Sequence, residues 1–381
     1  MPVTIDDLRR FAVARSVFPP TTLRRALHEM GFVQADPIRA PARAQDLILR
    51  HRVKNYHADD LERQYEKLGV HEDFFINYGF VTSELQALMH PRSNRRVREL
   101  GMMLRLAERG KRARLILDFV RERGVVHPRE VDSHFSHGRV ENWWGGKSKA
   151  TTHLLDLLHY QGVLRVVKRE NGIRLYSLHE HAIVPIDGAV RSARLDALVD
   201  AAIHVYAPVP EVNLRYLVRR LRLAAPQWER YLTATLKRAR ERLAHANIDG
   251  VEWYWPAGEN PADYDAPRGA RLLAPFDPVV WDRERFELLW GWVYRFEAYT
   301  PPAKRIRGYY AMPLLWRDRV IGWGNLSVKN GELRADFGYV DSAPPSAEFR
   351  RQLEAEMERM REFLRLEHVV RGKFSGAPRR G

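Results

Sequence analysis

The chain has 381 residues, 45% of them hydrophobic, enough apolar material for two to four compact units with real cores. Lys and Arg number 63 against 48 Asp and Glu, a formal charge of +15, and such a surplus asks for an anionic partner: nucleic acid first, an anionic membrane second. The absence of cysteine excludes disulfides, thiolate metal sites and cysteine nucleophiles, and fits a reducing cytoplasm.

From the N-terminus, Met1 to Arg10 mixes polar and apolar residues and does not read as a signal peptide. No apolar run reaches the length of a membrane span. The basic residues are spread along the chain rather than gathered on one amphipathic helix, which favours nucleic acid over membrane. Residues 4–30 predict helices. Thr21-Thr22 can cap the second, Leu23, Ala26, Leu27 and Met30 form its apolar stripe, and Gly31 supplies a left-handed stop. Phe32 to Asp36 then reads as extended, with Pro37 disfavouring helix at Asp36.

Residues 111–178 give the clearest unit. Leu115, Ile116, Phe119 and Val120 predict a helix ending at Gly124, a short helix follows Pro128, and a third runs from about Ser148 to Tyr160. Val163–Val167 and Ile173–Tyr176 flank Arg169-Glu170-Asn171-Gly172, and Asn-Gly between two such runs predicts a hairpin. Three helices and a hairpin make the order of a winged helix, whose third helix would be the recognition element. Residues 192–256 repeat the plan loosely, with helices near 194–206, 211–222 and 227–245 and a strand over Val251–Trp255. Asn260 to Gly269 reads as a linker. Strands are predicted over Trp292–Tyr299, Gly308–Leu315 and Val320–Val328, then a charged amphipathic helix over 345–366 and a disordered tail from Gly372.

The fold class predicted is mixed α/β (α+β), with tandem winged-helix units followed by a C-terminal β-barrel-like domain and a terminal helix. The expected segments are 1–110, 111–185, 186–260, 268–370 and a basic tail, 371–381.

The stretch Leu272-Leu273-Ala274-Pro275-Phe276-Asp277-Pro278-Val279-Val280-Trp281-Asp282-Arg283 continues through Tyr299-Thr300-Pro301 and Lys304-Arg305 to Gly308-Tyr309-Tyr310. It closely resembles the signature of the AlkZ/YcaQ winged-helix DNA glycosylase family, and Trp143-Trp144 and Gln34-Ala35-Asp36 match as well. The resemblance implies tandem winged helices curved around DNA and hydrolysis of the N-glycosidic bond of N7-alkylated purines, with interstrand crosslinks unhooked by some members. The family's catalytic motif, Gln-x-Gln or Gln-x-Asp, maps onto Gln34 and Asp36, the form of the crosslink-acting branch. The chain departs from the family at Ile76 to Thr82, where members usually carry a Trp-x-His-type stretch, and at Arg307, where an aromatic residue often stands.

N7 alkylation gives the base a positive charge, so it leaves neutral and needs no general acid. What remains is an oxocarbenium-like sugar and an attacking water, which one carboxylate and one amide can serve. Residues two apart in an extended segment face one side, so Gln34 and Asp36 can hold one water, with Ala35 pointing inward. Spacing alone would make most Gln-x-Asp triplets a surface edge; the matching context favours catalysis, with Gln34 positioning water and Asp36 as base. Arg43 and the loop residues Lys304 and Arg305 are candidate DNA contacts, although most basic side chains in such a chain are simply solvated. Lys168 and Arg169 would suit a wing resting on the phosphate backbone. Trp143-Trp144 reads as core packing before base stacking. The histidines of His134-Phe135-Ser136-His137 and His179-Glu180-His181 lack metal-ligand spacing, and no nucleotide loop is present, so no cofactor is expected.

The expectation is a monofunctional glycosylase, cytoplasmic and nucleoid-associated, monomeric, acting on double-stranded DNA with alkylated bases. The alternatives are a non-enzymatic winged-helix regulator or damage binder and, further off, a basic structural protein of the nucleoid.

Overall fold

In the computed structural model, residues 2–92, 107–135, 139–141, 147–179 and 186–369 are described. Trp143-Trp144, His137, Glu180-His181 and the tail from Gly372 lie outside them. The architecture is mixed α/β. The described chain divides into two units assembled from separated segments: Met1–Leu61, Asp200–Tyr216 and Arg238–Gly381 form one, Glu62–Val199 and Leu217–Lys237 the other.

In the first unit, Thr22 caps the Leu23–Met30 helix by accepting from Arg25 N–H, and Gly31 ends it at φ +67°, where glycine carries no Cβ penalty. The chain turns at once into the strand Phe32–Gln34. A short helix, Ala44–Leu49, is buried on every residue. Further on, Val209–Pro210 and the hairpin Ala244–Ile248/Val251–Trp255 form a three-stranded sheet. The predicted helix over 227–245 stops short: a 3₁₀ segment of the second unit, Pro226–Tyr231, precedes helix Leu232–Arg242, the strand Ala244–Ile248 follows, and Asp249 (φ +53°) and Gly250 (φ +82°) turn it into its hairpin partner.

The C-terminal part of this unit is a five-stranded sheet in sequential order, Ala270–Leu272, Met312–Trp316, Arg319–Lys329, Glu332–Tyr339 and His368–Val369, antiparallel except for its last pair. Helix Ala347–Phe363 buries Phe349, Leu353, Met360 and Phe363. Trp292–Tyr299, predicted as a strand, is a correction. It alternates between buried Trp292 and Tyr294 and exposed Val293, as a strand would, but pairs with no sheet. Side chains hold it instead: Trp292 Nε1 donates to Val320 O (3.0 Å) and the Tyr294 hydroxyl to Ala311 O (2.7 Å). The predicted strand from Gly308 begins only at Met312.

In the second unit, helices Ala107–Arg123, Pro128–Phe135 and Ala150–Tyr160 precede the hairpin Leu164–Glu170/Ile173–Leu178. Asn171 (φ +51°) and Gly172 (φ +79°) make the left-handed two-residue turn that Asn-Gly favours. Val125–Val126 completes a three-stranded sheet around a core of Ile116, Val120, Val131, Leu155, Leu158 and Tyr176. The largely helical reading of 1–110 missed a second hairpin here, Val70–Phe74/Tyr78–Thr82, which contains most of the stretch that departs from the family pattern.

Candidate active site

The site lies in the first unit, at the end of strand Phe32–Gln34. Strict alternation would bury Ala35 and expose its neighbours. Instead Gln34 is buried at 9% exposure and Ala35 and Asp36 are half-buried, because the strand ends at Gln34. Asp36 closes a local turn by accepting the Ile38 N–H at Oδ1 (2.9 Å), while its own N–H reaches Gln45 Oε1 at 3.4 Å. Gln45, in the first turn of the Ala44–Leu49 helix, is itself buried. Backbone and buried amide thus fix where the carboxylate stands. Burial raises the Asp36 carboxyl above its ordinary value, against the Ile38 hydrogen bond that lowers it. Asp36 makes no ion pair among the described residues, in a chain with 63 Lys and Arg.

The charge of Asp36 raises two tyrosines of the segment 296–310, exposed Tyr299 and buried Tyr310, after the larger effect of their burial. One oxygen of buried Glu297 accepts the N–H groups of Ile306, Arg307 and Gly308 (2.9, 2.8 and 3.1 Å). Asn325 Nδ2 donates to Arg307 O at 2.6 Å, and any Cβ at Gly308 (φ +129°) would fall 2.2 Å from Asn325 Oδ1. Only glycine fits there. The loop that precedes Tyr309-Tyr310 is therefore held rigidly. Beside it lies a cleft of about 1020 Å³ whose walls include Arg39, Trp292, Arg307, Tyr310 and Trp323.

The motif Leu272–Arg283 mounts this site. Arg52 and Asp277, both fully buried, form a two-bond pair (2.8 and 3.0 Å). His51 Nε2 and Arg50 Nη2 donate to Leu272 O (2.9 and 3.1 Å), with burial holding His51 well below its usual value and so neutral. Arg50 also pairs with buried Glu356 of the terminal helix. Asp282 caps helix Arg283–Trp290 and accepts from Asn213 Nδ2 at 2.5 Å. These contacts join the segment after Asp36 to the C-terminal sheet.

The other candidate contacts are scattered. Arg43 is buried at the start of the Ala44–Leu49 helix, where its charge favours ionised Asp46. Lys304 is exposed on a 3₁₀ turn, Pro302–Lys304; Arg305 is half-buried, donates to Thr300 O (2.8 Å) and lies over the Tyr309 ring at 5.0 Å. In the second unit Lys168 is half-buried, its side chain 40% exposed beside Glu170 (3.1 Å). Arg169 is not turned to solvent: it binds Glu72 through Nε (2.7 Å) and Nη2 (2.6 Å) at 13% side-chain exposure, so its charge is spent inside the fold. Sequence reasoning assigned no role to Glu297, Gln45 or Tyr310. The signature contains Tyr310, but nothing local marks its orientation.

The family model described as DNA glycosylase AlkZ-like matches residues 27–363. Among solved structures, the DNA glycosylase AlkZ of Streptomyces sahachiroi is similar, with a TM-score of 0.63 at 15% identity, covering 98% of this chain and 100% of that one; at that identity the likeness is one of fold. The chain belongs to the AlkZ-like DNA glycosylase family.

Proposed function

We propose that the protein is a monofunctional DNA glycosylase that hydrolyses the N-glycosidic bond of N7-alkylated purines, interstrand crosslinks included. The observation that carries the reading is Asp36: a half-buried carboxylate, fixed in place, without an ion pair among the described residues of a strongly basic chain. A paired carboxylate would be a weaker base and a blocked one. Gln34 and Asp36 hold the attacking water. Asp36 takes its proton and stabilises the oxocarbenium-like sugar as the neutral base departs. No general acid is needed.

DNA is held by tandem winged-helix units. The hairpin at Asn171-Gly172 serves as a wing whose phosphate contact is Lys168, with Arg169 omitted because Glu72 holds it. Lys304 and Arg305 brace DNA beside the site, and Arg43 acts through the Asp46 helix.

The test is incubation of the pure protein with duplex DNA containing N7-methylguanine and detection of free base. The wild type is expected to release it, and Asp36→Asn to lose most of the rate, about 10²–10⁴-fold for a positioned base. Because burial raises the Asp36 carboxyl, its charge opposes folding, so the neutral isostere is expected to melt at the same temperature or higher and to keep DNA binding. Excision by Asp36→Asn at the wild-type rate would remove Asp36 from the mechanism.

A further inference from the structure

In the first unit, Arg307 has a backbone that is fully used and a side chain that is not. Its N–H donates to Glu297 Oε2 (2.8 Å), and its carbonyl accepts from Asn325 Nδ2 (2.6 Å). Its half-buried guanidinium donates no hydrogen bond and makes no ion pair among the described residues. It lies instead over two indoles, 5.2 Å from the Trp292 ring centroid and 5.4 Å from that of Trp323. Both indoles are fixed. Trp292 is buried and donates to Val320 O (3.0 Å). Trp323 lies against Gly338 of the neighbouring strand, where any Cβ would fall 2.3 Å from Trp323 Cζ2, so only glycine leaves room for the ring. The two rings are 6.2 Å apart and tilted by 41°, and together they form one notch.

Cation–π contacts use the faces of a guanidinium and leave its in-plane N–H groups unmatched. Burial penalises the Arg307 charge, and the carboxylate that most favours it, Glu297, already accepts three backbone N–H groups. Arg307 lines the cleft of about 1020 Å³, whose charged walls are Arg39, Arg305 and Arg307 against one acid, Asp336. A planar fork of open donors in a cleft with surplus positive charge asks for an anion with paired oxygens. For a DNA glycosylase that anion is a backbone phosphate. A guanidinium drawn back onto two indoles in a recess does not project into a groove to read a base edge, whereas phosphates stand out from a duplex and can enter a recess. We propose that Arg307, held over Trp292 and Trp323, is the seat of one backbone phosphate of the bound DNA. The stack and the tethered backbone restrict the side chain before DNA arrives, so little rotamer freedom is lost on binding.

This inference rests on the proposed function for its ligand, duplex DNA, but its readout is binding and not excision, so the two fail separately. The first measurement is the affinity of the wild type and of Arg307→Gln for undamaged duplex DNA over a range of salt. Arg307→Gln is expected to bind on the order of tenfold more weakly at low salt, with a melting temperature near that of the wild type. The slope of log affinity against log salt is expected to shrink by about 0.9, the share of one phosphate. The second measurement fixes the register with a duplex carrying the excision-resistant 2′-fluoro analogue of N7-methylguanosine, in which single neutral methylphosphonate linkages are placed in turn along each strand. At one linkage the neutral group is expected to weaken the wild type and to leave Arg307→Gln unaffected. Wild-type affinity and slope in Arg307→Gln, or the lack of any linkage coupled to Arg307, would overturn the proposal. Should that variant fail to fold, a crystal structure of the wild type on the same duplex decides. A phosphate oxygen about 2.7–2.9 Å from a terminal nitrogen of Arg307 is expected; a guanidinium that touches no phosphate, or that reaches a base instead, would overturn the proposal. An Arg307-coupled linkage together with a fully active Asp36→Asn would uphold the phosphate seat and overturn the catalytic reading alone.

Discussion

The Arg52–Asp277 pair offers the sharpest test of how the site is mounted. Both side chains are fully buried, and all five guanidinium N–H groups have acceptors. Nε donates to Ser16 O (2.8 Å), Nη1 to Ile48 O (2.7 Å) and Asp277 Oδ2 (2.8 Å), Nη2 to Ser16 Oγ (3.2 Å) and Asp277 Oδ1 (3.0 Å). Asp277 additionally accepts the Val279 N–H at 3.1 Å. Asp277→Asn keeps shape but sets an amide N–H against a guanidinium N–H and leaves a buried charge uncompensated. Removing one partner of a buried pair costs about 3–5 kcal/mol. The expected outcome is a large fall in melting temperature with retained excision at low temperature, since Asp277 touches no reacting group. The control is Arg52→Met with Asp277→Leu, which removes both charges and is expected to lose less than the two single changes summed. Melting curves followed by circular dichroism, with excision assayed well below the transition, decide the matter. A loss under about 1 kcal/mol for Asp277→Asn, or a double variant as damaged as the sum, would refute a structural role for this part of the motif.

Two further outcomes are expected. Changing Lys304 and Arg305 together to Ala should weaken duplex binding and flatten its salt dependence by about one charge per lost phosphate contact, with little change in melting temperature; a large drop in stability would make the loop structural. In the second unit, burial would push Glu72 up, but the hydrogen bonds and charge of Arg169, with Arg174, hold it from 4.5 down to about 2. A lowered carboxyl stabilises the fold above its unfolded value and loses that contribution as pH falls toward the folded one, here between about 4.5 and 2, on the order of 3 kcal/mol in all. Glu72→Gln should lower stability at neutral pH and flatten its decline over that window, as read by thermal melts at stepped pH; an unchanged acid slope would show that Glu72 is not the group lost.

What the sequence disclosed and what it hid follow from the range of the interactions. Asn171-Gly172 was legible because a left-handed turn is a property of two residues. Asp249-Gly250 and Asn330-Gly331 carry the same signal and make the same turn, yet the first sits in a polar, weakly β-like run and the second beside a strand not predicted. Trp292 to Tyr299 was predicted as a strand and is none: Trp292 and Tyr294 are buried and Val293 exposed as in a strand, but pairing depends on a neighbour that such a pattern does not specify. Arg169 looked like a wing cation because its partner, Glu72, lies 97 residues away. Gln34 and Asp36 were visible as a motif. Their surroundings were not: Gln45 lies nine residues on, and Tyr310 belongs to the far end of the chain.

A glycosylase of this basicity meets a conflict that its structure resolves by distribution. The polyanion must be attracted, yet under the proposed mechanism the carboxylate that would serve the chemistry must remain unneutralised. The cations nearest to Asp36 in the chain are engaged elsewhere: Arg39 pairs with Asp59 at 3.0 Å, and the charge of Arg43 falls on Asp46, a carboxyl that burial raises to about 6. Burial raises the proton affinity of Asp36, and so the strength as a base that the proposed mechanism asks of it. Its position is held by backbone N–H and a buried amide, which supply geometry without a full positive charge. An arginine in the same place would fix the carboxylate equally well and lower its proton affinity. The lack of an ion pair at this half-buried acid, among the described residues, is therefore the feature of the candidate site that mere DNA binding leaves without a use.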